Sequence, residues 1–235
     1  MSLRHAPIRH GAAAPAPGRS LRRALALSLF LPALLAGCGN GAEPPASAGT
    51  TAPAPDGVRR IELPRPLPQP DLTLTGVSGR PVNLAEATRG RLALVFFGYT
   101  NCPDVCPTTM ADVAAALRRL TPDQRARVAV VFVSSDPWRD TPKALRSWLA
   151  SFDRSFIGMT GDFDRTRAAA RTLGIGLERP QVREGGYEVT HGGQLVVFGT
   201  DRRARVIYPS GVSARDLAAD LPGLLERDGR PGGAS

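Results

Sequence analysis

Most of the chemistry this sequence could do sits in one short run. Cys102 and Cys106 lie within Gly98-Tyr99-Thr100-Asn101-Cys102-Pro103-Asp104-Val105-Cys106-Pro107-Thr108-Thr109. On a helical turn, cysteines four positions apart have Cα atoms ~6 Å apart, inside the ~4.4–6.8 Å range of disulfides. The pair can therefore oxidise to a disulfide or chelate a soft metal. A helix N-terminus favours the thiolate form, and Pro103 and Pro107 hold the segment in a shaped loop. Histidine narrows the choice. His5 and His10 fall in a basic leader, so His191 is the histidine that remains beyond it, 85 positions after Cys106 and just before an apolar strand. Two thiolates and one imidazole make a trigonal soft site suited to Cu(I), and to Cu(II) with an added ligand. Zn²⁺ could take the same set with an open fourth position.

These residues need a scaffold, and the flanking patterns supply an α/β one. Residues 92–97 (LALVFF) and 128–133 (VAVVFV) read as continuous apolar strands, buried on both faces. The cysteine run follows the first of them and opens a helix with Met110, Val113, Leu117 and Leu120 on one stripe. This is the carboxyl edge of the sheet, where α/β proteins place their sites. Residues 71–84 alternate around Ser78-Gly79 as an N-terminal β-hairpin. Thr141-Pro142 starts a helix with Leu145, Trp148, Leu149 and Phe152 inward. Residues 156–159 form a short strand, and Asp162 caps a helix carrying Phe163, Ala170 and Leu173. Residues 194–198 and 205–208 form a second hairpin. Ser213 and Asp216 cap a last helix that Pro222 should kink or end early. The expected fold is a mixed central sheet with flanking helices, thioredoxin-like in the placement of His191 opposite the cysteine loop.

The N-terminus reads as an address. Residues 1–37 hold five arginines, no acid, and an apolar run ending Leu35-Ala36-Gly37-Cys38. That run spans 13 residues, whereas a bilayer-spanning helix needs ~20. Beyond residue 37 the net charge falls from +9 to +4, and the basic residues are scattered. Nucleic-acid binding is therefore not expected. Residues 38–70, rich in proline, alanine and glycine, suit an extended tether. The folded part is expected at 71–228, with a flexible tail at 229–235.

Taken together, GYTNCPDVCPTTM, VSSDPWRDTP, SFIGMTG and His191 before a strand resemble the Sco/SenC family of copper proteins over roughly residues 70–226. The resemblance implies a thioredoxin-like fold and a role in maturing the binuclear copper centre of cytochrome c oxidase. It also implies copper on Cys102, Cys106 and His191, with a redox role for the cysteine pair. The partners implied are the oxidase's copper-site subunit and a thiol reductant protein. The chain departs from the family at Thr190, where an acidic residue usually precedes the histidine. Leu-Ala-Gly-Cys38 resembles a bacterial lipoprotein box, which implies cleavage before Cys38, its lipidation, and an anchor on the periplasmic side of the cell envelope. Asp136 and Asp140 read as turn and helix-capping residues, or as residues that steer a partner or brace the cysteine loop. The chain reads as a metallochaperone more than an enzyme. The alternative is a thiol-disulfide oxidoreductase acting on extracytoplasmic proteins. A thiol peroxidase fails on spacing: counting back from Cys106 gives Pro103 and Tyr99, and from Cys102 Tyr99 and Val95, where Thr and Pro should stand.

Overall fold

The computed structural model describes residues 60–183, 186–189 and 192–229. The leader, Cys38 and His191 lie outside the described residues. Strand β1 (Ile61–Pro68) runs through Pro64, Pro66 and Pro68 and pairs antiparallel with a late strand. Composition alone assigns this stretch to the tether, because a proline-rich extended strand on a sheet edge looks the same in sequence as a polyproline spacer. The N-terminal hairpin follows as β2 (Thr73–Gly76) and β3 (Pro81–Asn83). Gly79 adopts the positive φ of 80° that the turn requires. Asn83 then caps the single turn α1 (Leu84–Ala87) by accepting from the Ala85 and Glu86 amides.

Strand β4 (Leu92–Gly98) delivers the chain to α2 (Val105–Leu117). The short α3 (Pro122–Ala126) is not apparent from hydrophobic periodicity; a capping box between Thr121 and Gln124 starts it. Strand β5 (Val128–Ser134) leads to α4 (Pro142–Ala150), with Thr141 as N-cap and Pro142 at the first position, as the sequence predicts. Next come β6 (Ile157–Thr160) and α5 (Phe163–Thr172), capped by Asp162. A small separate hairpin, β7 (Gln181–Arg183) with β8 (Gly186–Glu188), precedes β9 (Leu195–Phe198) and β10 (Arg203–Tyr208). The last helix, α6 (Ala214–Asp228), carries Pro222 inside it and does not end there. Among the described residues no helix is long and apolar enough to cross a membrane.

Eight strands form one sheet in the order β1-β10-β9-β4-β5-β6-β2-β3. β4, β5 and β6 are parallel, while β9 runs antiparallel to β4 and β2 antiparallel to β6. The two-sided burial of the central strands follows from the period of two. Leu92, Leu94 and Phe96 face one way, with Met110 and Val113 of α2, Leu145 of α4 and Leu217 of α6. Ala93, Val95 and Phe97 face the other way, with Leu84 of α1 and Phe163 and Ala170 of α5. Cys102 and Cys106 belong to the first of these cores.

Candidate metal centre at the cysteine loop

The buried run of β4 ends at Gly98, whose place in the alternation points at the face covered by α2. A Cβ there would lie 2.7 Å from Cys106 Sγ, 2.6 Å from Phe96 Cε1 and 3.2 Å from Phe132 Cε2. Only glycine leaves room for the sulfur. From Gly98 the chain turns through Tyr99, whose carbonyl accepts from the Cys102 amide at 3.2 Å, and enters α2 one residue before Cys106. Asp104 stands at the N-cap without a side-chain hydrogen bond. Cys102 takes over that role, its Sγ accepting the Cys106 N–H at 3.4 Å. The first turn of a helix leaves amides without intrahelical acceptors, and here a sulfur supplies one.

Both cysteines are thiols rather than a disulfide, Cys102 8% exposed and Cys106 0%. Burial pushes the Cys106 thiol well above its usual range, against a backbone hydrogen bond from Tyr99 that favours the thiolate. Position at a helix N-terminus alone predicts the reverse; complete desolvation outweighs the helix terminus. Burial, then the neighbouring Cys102 and Cys106 sulfurs, push Tyr99 up to about 12. Its phenol therefore stays protonated and hydrogen-bonds Cys102.

A second loop, after β5, braces the first. Asp140 is fully buried. Its carboxylate accepts from the Thr100 amide at 3.1 Å, from Thr100 Oγ1 at 2.6 Å and from Ser134 Oγ at 2.7 Å. Its backbone carbonyl accepts from Thr160 Oγ1 at 2.8 Å. Thr141, not Asp140, caps the following helix, so bracing the cysteine loop is what Asp140 does. Desolvation raises its carboxyl above the ordinary carboxylate range, while the Ser134 and Thr100 hydrogen bonds oppose that shift. Asp136, also fully buried, closes the turn through its carbonyl and accepts from the Tyr187 hydroxyl at 2.9 Å and from Arg139 Nε. The Arg139 guanidinium lies 3.8 Å from the centroid of the Tyr187 ring and 5.9 Å from that of Tyr99. The role of Tyr187 is not apparent from the sequence, where its one signal is a position four residues before His191.

The described flanks of His191 pack on the same side of the sheet as the cysteines. Before it, Val189 packs on the core cluster that contains Cys102 and Cys106. After it, β9 runs antiparallel to β4 with Leu195 opposite Phe96, so its leading end lies beside the end of β4. Gly193 sits there against α2: a Cβ on it would meet Ser210 Oγ at 2.6 Å and Val105 Cγ1 at 3.1 Å. Among the described residues no three of His, Cys, Asp and Glu converge on one point, so Cys102 and Cys106 are the soft donors this region places together.

Comparison with known proteins agrees with this fold. The SCO1/SenC family model matches residues 64–226. A Stutzerimonas stutzeri protein named for copper binding is 32% identical over 166 residues, covering 71% of this chain and 81% of its own. The apo Sco1 structure from Thermus thermophilus is 36% identical and superposes with a TM-score of 0.63, over 71% of this chain and 96% of that one. The copper-bound ScoI structure of Bradyrhizobium japonicum is 29% identical with a TM-score of 0.57, over 68% of this chain and 97% of that one. Against mitochondrial SCO proteins of Saccharomyces cerevisiae and Arabidopsis thaliana the match spans 30–36% of those chains. The fold is thioredoxin-like, with the mixed central sheet and flanking helices that the sequence predicts.

Proposed function

The chain belongs to the SCO1/SenC family, and from that premise we propose that it is an extracytoplasmic copper-binding chaperone that delivers copper to, or reduces the cysteines of, the binuclear copper site of cytochrome c oxidase. The observation that carries this reading is the pair of sulfurs set side by side at the start of α2, with the Cys106 amide bonded to Cys102 Sγ at 3.4 Å. Copper is the cargo, and Cys102, Cys106 and His191 are its ligands. Two soft sulfurs in a desolvated pocket fit Cu(I), and Cu(II) is accepted when a further ligand joins. Val189 and Gly193 support His191 as the third donor, since each stands two positions from it, the first packed on the core that holds the cysteines and the second against Val105 of α2.

Uptake exchanges protons for metal. Each thiol S–H bond breaks, its proton leaves to solvent, and a sulfur–copper bond forms, so affinity rises with pH. Oxidation of the pair to a disulfide would remove both ligands at once. A thiol reductant protein therefore has to keep the site loadable. Cys38, lipidated after removal of residues 1–37, anchors the domain on the periplasmic side of a bacterial envelope. Its Cys38→Ser variant should lose partition into detergent, and a mature wild-type chain with an unmodified Cys38 thiol would overturn the anchor.

The proximity of the two sulfurs also favours a second reading, a thiol-disulfide oxidoreductase acting on extracytoplasmic partners. Titrating the reduced protein with Cu(I) against a chromophoric chelator separates the two. A chaperone binds one copper, and Cys102→Ala, Cys106→Ala and His191→Ala each lower the affinity by about 100-fold or more, in the manner of lost direct ligands. Wild-type affinity in His191→Ala, with full metal-free disulfide reduction in the same variant, establishes the oxidoreductase instead.

A further inference from the structure

We infer that Asp136, Arg139 and Tyr187 form a clamp that positions the β7–β8 hairpin against the cysteine loop, and so sets copper affinity through the third ligand. This inference rests on His191 being that ligand. Three segments distant in sequence meet at Arg139. Its guanidinium stacks on the ring of Tyr187 in β8 at 3.8 Å and approaches the ring of Tyr99, next to the cysteine run, at 5.9 Å. Asp136 binds both members of the stack, taking the Tyr187 hydroxyl on one oxygen at 2.9 Å and Arg139 Nε on the other. Asp136 is completely buried, so this carboxylate gives up hydration and recovers it through these two donors.

The hairpin stands apart from the main sheet. β7 and β8 pair only with each other, as a sheet separate from the main one. Two strands of three residues are not stable alone in water. Their attachment must come from side chains, and Tyr187 contributes a stack and a hydroxyl bond to it. The chain leaves β8 through Val189, packed on the core that contains the cysteines, and reaches His191 two positions later. Arg139 Nη2 is buried and finds no acceptor among the described residues. A donor left unsatisfied is costly, so the pairing with Asp136 and the ring stack have to outweigh it. Its planar face, which lysine lacks, is what the stack uses.

A double-mutant cycle tests the clamp. Cu(I) affinity is measured by chelator competition for the full chain, for Tyr187→Leu, for His191→Ala and for the double variant, with the metal-free thermal midpoint recorded for each. The clamp requires Tyr187→Leu to lower affinity by about 10–100-fold, as loss of ligand support does, and to add nothing once His191 is gone. Tyr187→Phe keeps the stacked ring and should fall between wild type and Tyr187→Leu. Arg139→Lys should reproduce Tyr187→Leu, and both variants serve the same cycle should Tyr187→Leu not fold. Equal losses with and without His191 would overturn the clamp while leaving the ligand intact. Unchanged affinity in His191→Ala alone would remove the ligand itself, and the clamp with it.

Discussion

Replacing Gly98 by alanine should damage the metal site and the fold together, because the new methyl group has no room. It would lie 2.7 Å from Cys106 Sγ and 2.6 Å from Phe96 Cε1, where ordinary contact needs about 3.5–4.0 Å. The sulfur or the ring must give way by about 1 Å. Phe96 is fully buried and packs on Phe132 with ring centroids 5.9 Å apart, so the ring is hemmed in by core. The displacement falls on Cys106 or on the end of β4. Overpacking of this kind costs about 1–3 kcal/mol, which for a domain of this size lowers the thermal midpoint by roughly 2–12 °C. Metal–ligand distances hold to about ±0.2 Å, so a sulfur moved by several times that amount should lose copper affinity by about 10–100-fold. Differential scanning calorimetry of the reduced protein and Cu(I) competition titration read the two effects. Gly176→Ala is the control: nothing lies within 4 Å of its Cβ and the position is exposed, so its stability should stay within about 0.5 kcal/mol. A Gly98→Ala protein that melts and binds copper like wild type would refute the steric argument. One that loses stability but keeps its affinity would show that the sulfur position is set elsewhere.

Asp140 gives a pH signature. Its carboxyl is raised by burial, so the native state keeps the proton to higher pH than the unfolded chain does. Its contribution to stability then declines as pH rises from the ordinary carboxylate value through the raised one. Asp140→Asn should flatten that decline in denaturant midpoints taken across about pH 3–8, and an unchanged slope would contradict the assignment. Burial also raises Cys106. In the metal-free reduced protein its alkylation, followed by peptide mass spectrometry, should still be increasing at about pH 10; a plateau near the ordinary thiol value of about 8.5 would contradict it. Ser213 accepts the Asp216 amide at 3.2 Å as the N-cap of α6. Ser213→Ala should cost about 1 kcal/mol in urea unfolding and leave copper affinity unchanged, which separates loss of stability from loss of the site.

Sequence and structure agree where local physics decides. The runs at 92–97 and 128–133 become β4 and β5, because a strand covered on both faces must be apolar throughout. Thr141-Pro142 and Asp162 cap α4 and α5, since capping depends on a few adjacent residues. The cysteine run opens α2 at the sheet edge, as its proline spacing and flanking strand require. Leu120 joins the core from the turn beyond α2, since burial does not need helical geometry. What sequence does not disclose is non-local. β1 depends on a partner 144 residues away, Glu62 lying opposite Val206 with a register shift further along. Arg139 and Tyr187 are 48 positions apart and meet only once β5 and the hairpin are in place. Pro222 should break a helix by propensity, yet Leu221, Leu224 and Leu225 are buried around it and α6 continues.

The prolines of β1 bear on how copies of this chain live beside one another. β1 is one outer edge of the eight-stranded sheet, and the other outer edge, β3, is three residues long. An open edge invites a strand from a second molecule, and long flat edges nucleate aggregates. In β1 three of eight residues, Pro64, Pro66 and Pro68, have no amide hydrogen to donate, and its register with β10 is broken between Glu62 and Leu67. A neighbouring strand finds neither a continuous row of donors nor a straight template. Copies of this domain held at high local density would meet along such an edge. The interrupted edge allows that crowding without edge-to-edge growth.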